Sequence, residues 1–212
     1  MARIYFYKLT HDDGGAPCVQ DGLLSLAICK PMIRGTAVVG DLIFGFAANS
    51  LHRDNRLLYV AQITEKIQNG RYYLDKQFAL RGDCIYERQG DHFVWRQGAL
   101  HHGPNDLVHD LGERPDYPRA NVLLSTDFRY FGGTGTADYK TRFPVLKAAI
   151  EGLGIGHRVR HDEPLVMELL ALKQEVWRDN QPRQVGLPSS TPRCGVSHRS
   201  KSCGVLEDRG CR

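Results

Sequence analysis

The chain predicts an α+β fold: a mostly antiparallel β-body of six or seven short strands, partly closed into a small barrel, with one short early helix and two later ones. Three observations carry this expectation. Short apolar stretches separated by turn-forming residues fill the first two thirds of the chain. Helical periodicity is confined to the last third before a polar tail, where Phe143, Leu146, Ile150 and Leu153 recur at the right spacing. Between two apolar stretches, Pro31 opens and Gly40-Asp41 closes a segment suited to a single short helix.

The elements follow in order. Ile4 to Leu9 mixes aromatic and aliphatic residues and reads as a buried first strand. Thr10 to Pro17 is a turn-rich loop carrying His11, Asp12 and Asp13. Leu23 to Cys29 is apolar and fits a helix or a strand equally. The short helix after Pro31 would put Ile33 and Ala37 inward and Arg34 outward. Leu42 to Ala47 and Arg56 to Ile63 form an expected antiparallel pair, and Cys84 to Arg88 with His92 to Arg96 a hairpin across Gly90. Asn121 to Leu124 and Asp127 to Phe131 are expected strands before the Gly132 to Gly135 turn. One helix is expected from Pro144 to before Gly154, and another from about Asp162 to Trp177, striped by Leu165, Leu169, Leu172 and Val176. Residues 1–179 are therefore expected as one domain, and 180–212, rich in Ser, Pro, Gly and Arg, as a flexible tail.

Composition narrows the function classes. The 212 residues carry a net charge of +4, but 7 Lys/Arg against 3 Asp/Glu from Arg178 onward account for all of it. Residues 1–177 balance, with 21 of each sign, so phosphate affinity in the body would need a local cluster. No apolar run approaches the roughly 20 residues needed to span a bilayer, so no membrane partner is expected. The N-terminus reads as a strand rather than a signal peptide, and the scattered cysteines suit a reducing cytoplasm.

Candidate chemistry collects at a few places. On a helix, Lys30 and Arg34 would share a face and could cradle a phosphate, or simply be solvated cations. Cys29, beside a lysine, is either a nucleophile or a small packed residue. Asp13, in a Gly-rich loop, could serve as a general base, bind a sugar or base edge, or only shape a turn. Phe128 and Tyr130 share one strand face and Phe131 takes the other, so one face could stack a base or fill the core. His157 and Arg158 lie in a locally basic segment that could meet phosphate. His101, His102, His109 and Asp110 invite a metal reading, but adjacent histidines on a strand point to opposite faces and no helical His pair or Cys-x₂-Cys pair appears. No metal is therefore expected. The chain also lacks a phosphate-binding G-x-x-x-x-G-K-[ST] loop and the dinucleotide glycine spacing.

Asp13-Gly14, Ala16 to Cys18, the run Leu26 to Arg34, then Ala37, Gly40-Asp41 and Gly45, resemble the second type of nucleotide-modification-associated domain, a bacterial and phage family. Asn121 to Ser125, Phe128 to Gly132 and Gly156 to Arg158 continue the likeness over roughly residues 3 to 160. The layout is also similar to the barrels associated with pseudouridine synthases and modified-base readers, so a PUA-like body is expected. The resemblance implies a role in DNA base modification and gives Lys30 and Arg34 a nucleotide context. The expected function is binding of a nucleic acid or nucleotide, with a modified base in a basic and aromatic pocket. Lys30, Arg34, His157 and Arg158 would hold phosphate, and Tyr130 and Phe131 would stack the base. The alternatives are an enzyme acting on a base or nucleotide through Asp13 or Cys29, and a non-catalytic scaffold bound to modification-system proteins. The sequence specifies no cofactor and no oligomeric state.

Overall fold

The computed structural model describes residues 2–154 and 156–189. Eleven strands occur among them: β1 Ile4–Leu9, β2 Cys18–Gln20, β3 Leu23–Leu26, β4 Leu42–Ala47, β5 Leu57–Gln62, β6 Glu65–Ile67, β7 Tyr86–Gln89, β8 His92–Trp95, β9 Val122–Ser125, β10 Asp127–Tyr130 and β11 His157–Arg158. The helices are α1 Pro31–Thr36, α2 Arg71–Leu74, α3 Leu107–Leu111, α4 Tyr139–Arg142, α5 Pro144–Glu151 and α6 Glu163–Asp179. The mixed α+β class is as expected, as are α1, α5, α6, the β4–β5 pair and the β7–β8 hairpin. The apolar run that fitted either state is strand β3, because it pairs with β2 and β9.

The strands form a five-stranded sheet in the order β10-β5-β4-β1-β11, a four-stranded sheet β2-β3-β9-β6, and the β7-β8 hairpin. The expected closure into a PUA-like barrel is not found: in each order, among the described residues, the two outer strands stay unpaired with each other. The consecutive strands β9 and β10 pair in different sheets, which separates rather than joins them. β1 and β4 are parallel, with β2, β3 and α1 forming the crossover between them. That crossover carries Cys29 and Lys30 out of β3 and into α1.

Two apolar layers flank the five-stranded sheet. On one face Phe6, Phe44 and Val60 pack against Leu146 and Ile150 of α5 and Leu165, Leu169 and Leu172 of α6. On the other, Tyr5, Tyr7, Ile43, Tyr59 and Tyr130 meet Leu24, Ile33 and Leu123. Gly45 makes the second layer possible: a Cβ there would fall 2.1 Å from the Tyr59 ring and 2.8 Å from Leu9. A third core, around Tyr72, Tyr73, Tyr86 and Phe93, lies beneath the hairpin.

The first part of the expected tail is attached to the body. Tyr130 donates its backbone N–H to the Arg183 carbonyl, Val185 donates to the Tyr130 carbonyl, and Gly133 donates to Leu187. Residues 181–189 thus lie along β10 and the turn that follows it, since an edge strand offers unpaired backbone groups. Residues 190–212 of the expected tail lie outside the described residues.

Candidate active site

Cys29 leaves β3 with φ 56° and Lys30 follows with φ 43°. Two successive non-glycine residues in the left-handed region cost about 1–3 kcal/mol each, and such strain gathers where geometry serves function. The turn exposes part of the Cys29 side chain while its backbone is clamped from below. Its N–H donates to Asp110 Oδ1 at 2.8 Å, and its carbonyl accepts Arg34 Nε at 2.6 Å.

Arg34 is the base of this clamp. Its side chain is wholly buried. It donates to the Asp110 carbonyl at 2.8 Å, to the Arg119 carbonyl at 2.8 Å and to the Asn121 carbonyl at 2.7 Å, and lies 3.8 Å from Asp110 Oδ1. The expectation that Arg34 faces outward beside Lys30 is therefore corrected. Lys30 is the N-cap of α1 in a left-handed conformation, not a helical residue, so the four-residue spacing does not align the two side chains. With its donors committed to carbonyls, Arg34 offers nothing to an incoming phosphate.

Above the clamp stands His102, itself at φ 51°. Its Nε2 is 3.2 Å from Cys29 Sγ, and its Nδ1 is 2.6 Å from Asp110 Oδ2. Tyr86 donates its hydroxyl to the same Oδ2 at 2.8 Å. Burial pushes the Asp110 carboxyl up, but the His102 hydrogen bond and charge, with help from Arg34 and Tyr86, hold it below the ordinary carboxylate range. The result is a thiol, an imidazole and a buried carboxylate in series, the arrangement that activates a nucleophile through an oriented base. His102 and Asp110 are absent from the expected site. The signal was available, since a cysteine with histidine and aspartate elsewhere in a chain is a candidate nucleophile set, but their separations of 73 and 81 residues from Cys29 hide it.

The other expected site residues are distributed as follows. Lys30 is half-buried, with Nζ 4.9 Å from the centre of the Tyr7 ring. His157, half-buried on β11, stands 6.1 Å from the Tyr5 ring. Burial, then the charge of Lys30, lowers the His157 imidazole. Arg158 pairs with Phe6 and so leaves the opposite face of the sheet, which corrects its expected place beside Lys30 and His157; it donates to the Arg160 carbonyl at 3.0 Å. Asp13 pairs with His101, whose ring is 3.6 Å away; burial raises the carboxyl, but His101 outweighs it and the group is lowered to about 2. At that value it is a weak proton acceptor at neutral pH. Tyr130 and Phe131 are buried, at 1% and 8% exposure. This corrects the stacking platform: Tyr130 faces the core and donates to Asp12 at 2.7 Å, while Phe131 packs toward α6.

Among the described residues no helix is long and apolar enough to cross a membrane. No curated protein and no solved structure matches the chain significantly. A family profile, the nucleotide modification associated domain 2, matches residues 1–141, which include Cys29, His102 and Asp110. The chain belongs to the nucleotide modification associated domain 2 family, and its role is associated with nucleotide modification.

Proposed function

We propose that this protein is a cysteine-dependent enzyme of nucleotide modification, acting on an acyl or amide group of a nucleotide or of its modified base. The series Cys29–His102–Asp110 carries the reading. His102 Nε2 takes the proton of Cys29 Sγ, and the thiolate adds to the acyl carbon. A thioester forms as the C–N or C–O bond breaks, and the His102 imidazolium returns its proton to the leaving group. Water or an amine, deprotonated by His102, then attacks the thioester and releases Cys29. Asp110 fixes the imidazole tautomer and balances its charge. Lys30 and His157 would receive the phosphate, since both stand over the sheet face that carries Tyr5 and Tyr7, whereas Arg158 pairs with Phe6 and faces the other side of the sheet.

Alkylation of Cys29 by iodoacetamide tests this without knowledge of the substrate. At pH 6 to 7 the wild-type thiol is expected to react at least about ten-fold faster than in the His102→Ala variant, because an ordinary thiol near pKa 8.5 holds few thiolates there. Equal rates would refute the enzyme reading. The second reading, a binding domain without chemistry, is favoured by Lys30 over the Tyr7 ring with His157 by Tyr5. It predicts nucleotide binding that weakens with salt and survives Cys29→Ser, with no thiol activation.

A further inference from the structure

A second polar group is buried on the sheet face that carries Tyr7, Tyr59 and Tyr130. Asp12 is 2% exposed, and its Oδ1 accepts the Tyr130 hydroxyl. Its Oδ2 is buried without a hydrogen-bond partner among the described residues. The Tyr7 and Tyr59 hydroxyls are 2.8 Å apart, in side chains at most 1% exposed. Only one proton can lie between the two oxygens, so the other hydroxyl hydrogen needs an acceptor that the pair does not supply. Buried polar atoms are satisfied in well over nine cases in ten, so an orphan acceptor beside an orphan donor marks a place made for an occupant.

The parts adjoin. Tyr130, which donates to Asp12, pairs directly with Tyr59 across β10 and β5, Tyr59 meets Tyr7, and Lys30, the residue after Cys29, lies 4.9 Å from the centre of the Tyr7 ring. Gly45 matters here too, because it leaves room for the Tyr59 ring to reach Tyr7.

We infer that Asp12 and the Tyr7–Tyr59 pair form a recognition subsite for an amide-like edge of the substrate, a hydrogen-bond donor beside an acceptor, as on the pairing edge of a nucleobase. Asp12 Oδ2 accepts from the N–H, and the tyrosine pair donates to the neighbouring ring nitrogen or carbonyl. This deepens the proposed function by naming what is held next to Cys29, and it rests on that reading.

The test is calorimetric titration of the full chain with the four deoxynucleoside 5′-monophosphates and with deoxyribose 5-phosphate, which has no base. At least one nucleotide is expected to bind at least about ten-fold more tightly than the sugar phosphate, and Asp12→Asn to erase most of that difference, because it replaces an acceptor by a donor. Tyr59→Phe, a smaller change, is expected to weaken the same nucleotide several-fold. The alkylation test compares wild type with His102→Ala and involves neither variant, so failure here is distinguishable from failure of the enzyme reading. Equal binding of nucleotides and sugar phosphate would overturn the subsite. So would base discrimination that persists in both variants, or a crystal structure of the nucleotide-soaked protein with an undisplaced water on Asp12 Oδ2.

Discussion

Among the described residues are two buried arginine–aspartate pairs of nearly the same design. Arg34 and Asp110 lie beneath Cys29, and Arg81 and Asp83 lie near Cys18 and Cys84. In each, a tyrosine donates to the aspartate: Tyr86 to Asp110, Tyr72 to Asp83 at 2.6 Å. In each, the arginine ties distant carbonyls together, Arg81 reaching Gln20, Cys18 and Leu23. What differs is the last partner. Asp110 meets a histidine that faces a half-buried thiol, whereas Asp83 meets Ser25, wholly buried, at 2.5 Å. Burial therefore raises the Asp83 carboxyl, while the added imidazole brings Asp110 down. A buried ion pair holds chain segments in place in both regions; only the one with an imidazole and an opening to solvent can move a proton to a reagent.

The widest gap should be in thiol reactivity. Burial pushes the Cys18 thiol up to about 12, leaving almost no thiolate at pH 7. Peptide mapping after brief iodoacetamide treatment should find Cys29 labelled about a thousand-fold or more faster than Cys18. Comparable labelling would erase the contrast. Next, Arg34→Ala and Arg81→Ala should each cost about 3–5 kcal/mol in denaturant unfolding, since each leaves a buried carboxylate uncompensated. A loss below about 1 kcal/mol for either would mean that its pair does not hold the fold. Tyr86→Phe and Tyr72→Phe should each cost about 1.5–3 kcal/mol, as hydrogen bonds to charged groups do. Only Tyr86→Phe should alter the pH profile of Cys29 alkylation, and a change in both would deny the two regions separate roles. The smallest effect concerns Asp13. Its folded carboxyl is depressed, so the stability it adds is present above about pH 4 and is lost as pH falls toward 2. With the side chain 44% exposed, solvent screening limits the gain to about 1 kcal/mol. Asp13→Asn should lower the unfolding free energy by that amount at pH 7 and converge on wild type in acid; a gap that persists at pH 2 would assign the loss to something other than charge.

How much of this was legible in the chain depends on the range of the interaction. The helices α5 and α6 and the β7–β8 hairpin are local patterns, and their apolar spacing or turn residues define them. Cys29 was a candidate because its neighbours in sequence suggested one. Arg34 reads as outward only if the helix runs through Lys30, whereas the left-handed turn at 29–30 rotates the two side chains apart. His101 and His102 lie in a bend and not on the strand their metal reading assumed, with His101 facing Asp13 and His102 facing Cys29. What the sequence could not say is that the turn between β3 and α1 meets α3. Phe128, Tyr130 and Phe131 were aromatic enough for a ligand or a core, and only the packing decides between them.

The family likeness stops at residue 141, but the folded unit does not. Leu146, Ile150, Leu165, Leu169, Leu172 and Val176 form one wall of the core whose other wall is the sheet carrying β1 and β4. A chain ended at the family boundary would bare Phe6, Phe44 and Val60 along that sheet. The stretch that matches the family therefore ends before the packing does: the cover of the sheet that carries β1 lies outside it.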